Sequence, residues 1–283
     1  MSSKGYHTIT QEKSIWKPYR KVVFDLDSTL VTIEGIDELA RFKNKSREVI
    51  KLTRAAMEGE LSYQEVFQQR LRMIRPAQSD LRTLGDLYLQ NITTGAREVL
   101  AALRLLNIEV FIVTGSYEPA VIRLANYLDV LTENIYANQI FFNEHGDFLG
   151  YNQENPLCQD HGKGRILQQI NGTPNELLLV GDGMTDYLTS SDTTGFVGFG
   201  GVVERRQVQQ VAPIYIRCPD LSPVLLIAAG EEGCKRLAGT PYRNVLKRGA
   251  DLMLRQGSVL FDARNQALRD EMSQFFSNGV HSN

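Results

Sequence analysis

The sequence predicts a doubly wound α/β domain with a small helical cap inserted near its start and a helical extension at its C-terminus. Three observations carry that expectation. Short apolar runs alternate with helical patterns from Lys21 to about Leu226, the order that builds a mostly parallel sheet between helical layers. Roughly 80 residues separate the first strand from the second, far more than one crossover helix uses. From about Asp220 onward the strand signals stop and helical patterns follow.

The first strand is Lys21–Asp25, where Val22-Val23-Phe24 is the continuous apolar run of a strand buried on both faces. Helical patterns then cover Ile36–Phe42, Arg47–Met57, Ser62–Ile74 and about Ser79–Leu87, while Ala96–Leu106 belongs to the layer flanking the sheet. Glu109–Thr114 is the second strand. Ile135–Asn143 and Phe148–Asn152 are β-prone runs around the polar, Gly-containing Glu144–Asp147, which predicts a hairpin. Leu177–Gly181, Gly195–Phe199 and Ile214–Arg217 complete the strands. Leu221–Ala229, Thr240–Gln256 and Phe261–Phe276 then read as helices, ahead of a polar, frayed tail at Ser277–Asn283. On this division residues 20–35 and 93–226 form the core, 36–92 the cap and 227–283 the extension. The extension is read as a packing or dimerising appendage, which makes a homodimer the protein partner to test.

Composition narrows the function. The chain has 283 residues, 42% apolar and 23% charged, enough for one large domain with a subdomain or extension. A net charge of -2 gives no electrostatic reason to expect nucleic acid. No apolar stretch approaches the ~20 residues that span a bilayer, so no membrane partner is expected. Cys158, Cys218 and Cys234 form no CxxC or His-spaced pattern and read as reduced, packed thiols. Met1–Tyr19 is polar and lacks the apolar segment of a secretory signal, so the expected location is cytoplasmic.

Chemistry concentrates at the carboxyl ends of the predicted strands, where sheets of this kind place their ligands. Asp25 and Asp27 follow the first strand, Thr114 ends the second, Lys163 opens a helix, and Asp182 and Asp186 follow Leu177–Gly181. Taken singly, these read as a polar turn, a β-branched strand residue and a solvated charge. Together, four carboxylates at adjacent strand ends are tolerable only around a divalent cation. An oxygen-only ligand set fits Mg²⁺ better than zinc. One carboxylate can then attack phosphorus while its neighbour moves a proton.

The order Asp25-Leu26-Asp27-Ser28-Thr29, Thr114-Gly115, Lys163 and Gly181-Asp182-Gly183-Met184-Thr185-Asp186 resembles the four motifs of the haloacid dehalogenase (HAD) phosphatase superfamily. Within it, the runs Glu34–Ala40 and Arg54–Gly59, with Arg70, Gly198-Phe199-Gly200-Gly201 and Arg206-Gln207-Val208, are similar to the phosphoserine phosphatases. The resemblance covers about residues 20–226. It implies that Asp25 becomes an aspartyl phosphate and that Asp27 protonates the leaving oxygen, then deprotonates water. It also implies that Asp25, the Asp27 carbonyl and Asp182 hold Mg²⁺ with Asp186 in support, and that Gly115, Ser116 and Thr185 border the substrate. A small phosphorylated amino acid, and with it a place in serine biosynthesis, follows from the same resemblance. The same residues would also serve another phosphorylated metabolite, or transfer of the group to an alcohol; a catalytically silent binding protein is the reading from outside the enzymes.

Arg70 lies on the apolar stripe of its helix, with Val66, Phe67, Leu71 and Ile74, where an arginine ordinarily snorkels. In this context its guanidinium suits a carboxylate, Glu34 suits an ammonium, and Met57 supplies an apolar wall. One departure stands inside the matched region: Gly115-Ser116-Tyr117 replaces the usual Gly-Gly-Phe, and a side chain at 116 narrows the site.

Overall fold

The computed structural model describes residues 15–57, 60–171 and 176–277. The Met57 side chain and the tail beyond Ser277 lie outside the described residues.

The central sheet is built from β1 (Lys21–Phe24), β2 (Glu109–Tyr117), β3 (Ile135–Asn138), β6 (Leu177–Gly181), β7 (Gly195–Phe199), β8 (Ile214–Ile216) and β9 (Val259–Phe261). Their spatial order is β3-β2-β1-β6-β7-β8-β9; every neighbouring pair is parallel except β8 and β9, which pair antiparallel at the edge. Strand order turns around at β1, which lies between β2 and β6, so ligand-binding side chains are expected at the carboxyl end of that strand.

Each strand feeds two cores, because successive side chains leave opposite faces of a sheet. Val22, Phe24, Ile112, Leu178 and Val180 pack on one face, and Val23, Phe111, Val113, Leu177 and Leu179 on the other. The first face is covered by α5 (Ala96–Leu105), α6 (Glu118–Tyr127) and α10 (Ser222–Leu237), the second by α7 (Gly162–Asn171) and α9 (Arg206–Val211). The stretch between β1 and β2 forms α1 (Gly35–Phe42), α2 (Ser46–Met57), α3 (Tyr63–Ile74) and α4 (Gln78–Gln90) before α5. A capping box starts α3: Ser62 Oγ accepts from the Glu65 amide and Glu65 Oε2 from the Ser62 amide. The short α8 (Met184–Leu188) follows β6.

Several details differ from the sequence-based expectation. β2 continues through Thr114 to Tyr117, since β3 pairs with its far end and Tyr117 aligns with Asn138. Ile135–Asn138 is therefore a strand of the main sheet, and the hairpin is confined to β4 (Ile140–Phe142) and β5 (Phe148–Tyr151).

The extension is also not an appendage set apart at residue 227. α10 runs across that position: it breaks at Gly230, whose φ of 65° places it in the left-handed region, then resumes to Leu237. A Cβ on Gly230 would lie 2.4 Å from the Pro18 amide nitrogen. After α11 (Arg243–Leu254), a turn with Gly257 at φ 77° leads into β9, which pairs with β8. Three residues are too few for periodicity to announce a strand; the open edge of β8 selects it. The final helix α12 (Gln266–Ser277) sets Phe275 and Phe276 against Trp16, with ring centroids 5.3 and 5.8 Å apart.

Candidate active site

The turn after β1 is tightly wound. Asp25 is extended (φ -68°, ψ 165°), and Ser28 adopts the left-handed region at φ 56°. This brings the Ser28 hydroxyl within 2.7 Å of Glu34 Oε1 and directs Asp25 and Asp27 toward the ends of the neighbouring strands. Asp25, Asp182 and Asp186 are all buried, and each offers a carboxylate oxygen within 4.8 Å of the others. Lys163, at the start of α7, bonds Asp25 Oδ1 at 2.8 Å and Asp186 Oδ1 at 2.6 Å. The second oxygen of Asp186 accepts from the Gly183 amide at 3.2 Å. Gly181 keeps room for this carboxyl, since a Cβ there would meet it at 2.4 Å.

The electrostatics reflect that crowding. Burial pushes the Asp25 carboxyl up to about 7; Lys163 opposes the shift and Asp186 and Asp182 add to it. Burial likewise raises Asp182 to about 6 against the pull of Arg205. Asp27 is raised well above the carboxylate range by burial and by the Glu34 and Asp25 charges. Burial disfavours the Lys163 ammonium, but Asp186 and Asp25 outweigh it and hold its pKa above the ordinary value. Three buried carboxylate oxygens within 4.8 Å of one another, with no imidazole or thiolate in the group, match the donor chemistry of a hard divalent cation.

Asp27 stands apart from that cluster. Its Oδ1 accepts from the Gly35 amide at 2.9 Å and from Tyr88 Oη at 3.0 Å. The Thr114 hydroxyl is buried and accepts from the Ser116 amide at 3.0 Å, which leaves its own proton free to donate. Lys163, Thr185 and Gly115 border a cavity of about 180 Å³ that Tyr63 and Thr189 help to line.

The residues expected to hold substrate have varied surroundings. Arg70 Nη2 bonds Thr53 Oγ1, while its Nε is buried without a partner. Glu34 accepts from Ser28 and is paired with Arg205 Nη2 at 3.2 Å, so an incoming ammonium would meet a guanidinium already in place. Ser116 does not turn its hydroxyl toward the cavity; Oγ lies 2.5 Å from Tyr88 Oη. The Gly115 carbonyl accepts from Asn138 Nδ2 at 2.8 Å, and Thr185 is exposed on the rim.

Sequence reasoning missed two participants. Arg205 bridges Glu34 and Asp182, with Nε 2.7 Å from Asp182 Oδ2. Its position in a loop just beyond a strand's carboxyl end was the available signal. Tyr88 falls on the apolar stripe with Leu81 and Leu84 and reads as an ordinary core aromatic, so nothing local announced its hydroxyl.

Residues 19–190 match the haloacid dehalogenase-like hydrolase family. The phosphoserine phosphatase of Mus musculus is 34% identical over 197 residues, 69% of this chain and 88% of the relative. The chloroplastic phosphoserine phosphatase of Arabidopsis thaliana is 32% identical over 199 residues, 69% of this chain and 67% of the relative. Among solved structures, a phospho-aspartyl intermediate analogue of phosphoserine phosphatase aligns with a TM-score of 0.62 at 26% identity, covering 74% of this chain and 98% of that one. A phosphoserine phosphohydrolase-like protein from Francisella tularensis aligns with a TM-score of 0.63 at 25% identity, covering 70% and 95%. A family match over residues 19–190 and curated relatives at 34% and 32% identity agree: the chain belongs to the haloacid dehalogenase-like hydrolases, in the branch of the phosphoserine phosphatases.

Proposed function

We propose that this protein is a Mg²⁺-dependent phosphomonoesterase that hydrolyses O-phosphoserine to serine and phosphate. The observation that carries this reading is the convergence of Asp25, Asp182, Asp186 and Lys163 at the strand-order reversal, with a second carboxyl, Asp27, held separately by its own donors. The relatives named above support the substrate.

In the first half-reaction an Asp25 oxygen attacks phosphorus and the seryl oxygen departs with a proton from Asp27. In the second, Asp27 takes a proton from the water that cleaves the aspartyl phosphate. Lys163, already bonded to Asp25, and the Thr114 hydroxyl face the phosphoryl oxygens, where phosphoryl transfer needs positive charge and donors more than covalent help. Asp25, the Asp27 carbonyl and Asp182 would hold Mg²⁺, with Asp186 behind them; when bound, the ion supplies charge to those same oxygens. The unpartnered Nε of Arg70 supports a role in taking the substrate carboxylate. Glu34 takes the ammonium by exchanging it for part of its contact with Arg205. Three buried, unlinked cysteines support a reducing compartment such as the cytoplasm.

A panel of phosphoserine, phosphothreonine, phosphotyrosine and sugar phosphates, assayed for released phosphate in metal-stripped protein with and without Mg²⁺, tests the reading. The expected result is Mg²⁺-dependent release with phosphoserine preferred. Equal activity without metal, or no turnover of phosphoserine, overturns it.

A further inference from the structure

Tyr88 belongs to α4, yet its hydroxyl reaches the centre of the site. The side chain is fully buried, and Oη lies 3.0 Å from Asp27 Oδ1 and 2.5 Å from Ser116 Oγ. The Gly35 amide donates to the same Asp27 oxygen at 2.9 Å. A tyrosine has a single hydroxyl proton. When that proton is donated to Asp27, the short contact with Ser116 requires the serine hydroxyl to be the donor. The three groups then form one directed line, from Ser116 Oγ–H to Tyr88 Oη–H to Asp27 Oδ1. Space for it is kept by glycine: a Cβ on Gly35 would lie 2.1 Å from Tyr88 Oη and 3.0 Å from Ser116 Oγ.

We propose that Tyr88 and Ser116 are positioning residues for proton transfer, fixing the Asp27 carboxyl so that Oδ1 is held and Oδ2 delivers the proton to the leaving oxygen. This rests on the reading of Asp27 as the acid of a phosphomonoesterase. As the bond from Asp25 to phosphorus forms and the bond to the leaving oxygen breaks, the proton on Asp27 Oδ2 passes to that oxygen. The departing alcohol is then neutral and Asp27 is left as a carboxylate. Two donors on Oδ1 are better spent there than on the oxygen that must carry the proton, and they prevent rotation that would aim it away. Ser116 extends the arrangement to the neighbouring group, because its amide donates to Thr114 Oγ1.

A positioning role predicts dependence on the leaving group. An alkoxide leaves poorly without a proton, whereas 4-nitrophenolate leaves without help. In Tyr88→Phe, kcat/KM is expected to fall by at least ~10-fold for phosphoserine and equally for a simple alkyl phosphate without carboxylate or ammonium, while kcat/KM for 4-nitrophenyl phosphate changes by less than about twofold, the first step of aryl ester cleavage having little need of an acid. Ser116→Ala, one bond further out, should lower the alkyl-to-aryl ratio in the same direction by less. Equal losses on the alkyl and aryl esters, no loss on either, or a loss confined to phosphoserine overturn the proposal. If Tyr88→Phe fails to fold, the ratio in Ser116→Ala decides: a fall supports the proposal and an unchanged ratio overturns it. Failure of the substrate assignment reads differently, as wild-type protein that does not turn over phosphoserine. The ratio is then measured with any alkyl phosphate that it does hydrolyse.

Discussion

Asp25→Asn removes the attacking oxygen while hardly changing side-chain volume, so phosphate release should fall below a few per cent of wild type in a protein that melts at an equal or higher temperature. The thermal expectation follows from burial: the carboxyl it replaces is held at about 7 against an ordinary 3.8. Retained turnover would remove the covalent mechanism. The same shifts set a pH dependence. Asp25 and Asp182 hold protons in the folded protein that the unfolded chain releases near pH 4, so metal-free stability falls as pH rises from about 4 through 6 to 7. A bound cation replaces those protons. The rise in melting temperature on adding Mg²⁺ should therefore be larger at pH 7.5 than at pH 5; a rise that is flat or larger at pH 5 would exclude these carboxylates as ligands. Arg70→Ala tests recognition alone. Its kcat/KM for phosphoserine should drop by at least ~10²-fold, the scale of a lost charged hydrogen-bonding partner, with much less change on an aryl phosphate. The catalytic carboxylates were legible in the sequence because like charges at strand ends demand an explanation. Tyr88 and Arg205 were not, because their roles depend on which distant carboxylate each one reaches.

Elements were readable where the pattern is long. The helices at 35–42, 46–57 and 63–74 and the strands at 21–24, 177–181 and 195–199 stand within a residue or so of their expected bounds, since each has an apolar run or stripe of its own. β3 and β9 were not readable as partners of the main sheet. The first continues almost directly into a hairpin strand, and the second is three residues long, so pairing with β2 and β8 determines both. β9 and α12 are consequently testable as a unit. A chain ending at Gln256 uncovers the β8 edge and removes Met272 and Phe276, both buried; at about 1.5–3 kcal/mol per buried side chain, stability should fall by on the order of 3–6 kcal/mol. Chemical denaturation should show the earlier midpoint, and light scattering should show association through the opened edge. The site residues remain, so activity per folded molecule should persist. Loss of activity in a well-folded truncate would place the last elements in the site.

Across the whole molecule, the catalytic groups come from distant parts of one chain, Asp25 and Lys163 being bonded partners 138 positions apart. The strand-order reversal gathers them, and the same topology leaves the far sheet edge to be finished last. In the helical layer, Trp16, only a few residues before β1, donates its indole N–H to the Leu226 carbonyl and stacks edgewise on Phe275, while the Ile15 amide donates to Glu271. Early and late segments are thereby fastened together. For a chain made from one end to the other, this sets an order of events. The main-sheet strands through β8 precede β9 and α12 in the chain, so Trp16 lacks its Phe275 and Phe276 neighbours until α12 emerges, and β8 keeps an open edge until β9 arrives. A ribosome stalled before residue 259 would therefore carry a nascent chain with its catalytic groups already synthesised and its outer edge still adhesive, the interval in which a chaperone has most to do.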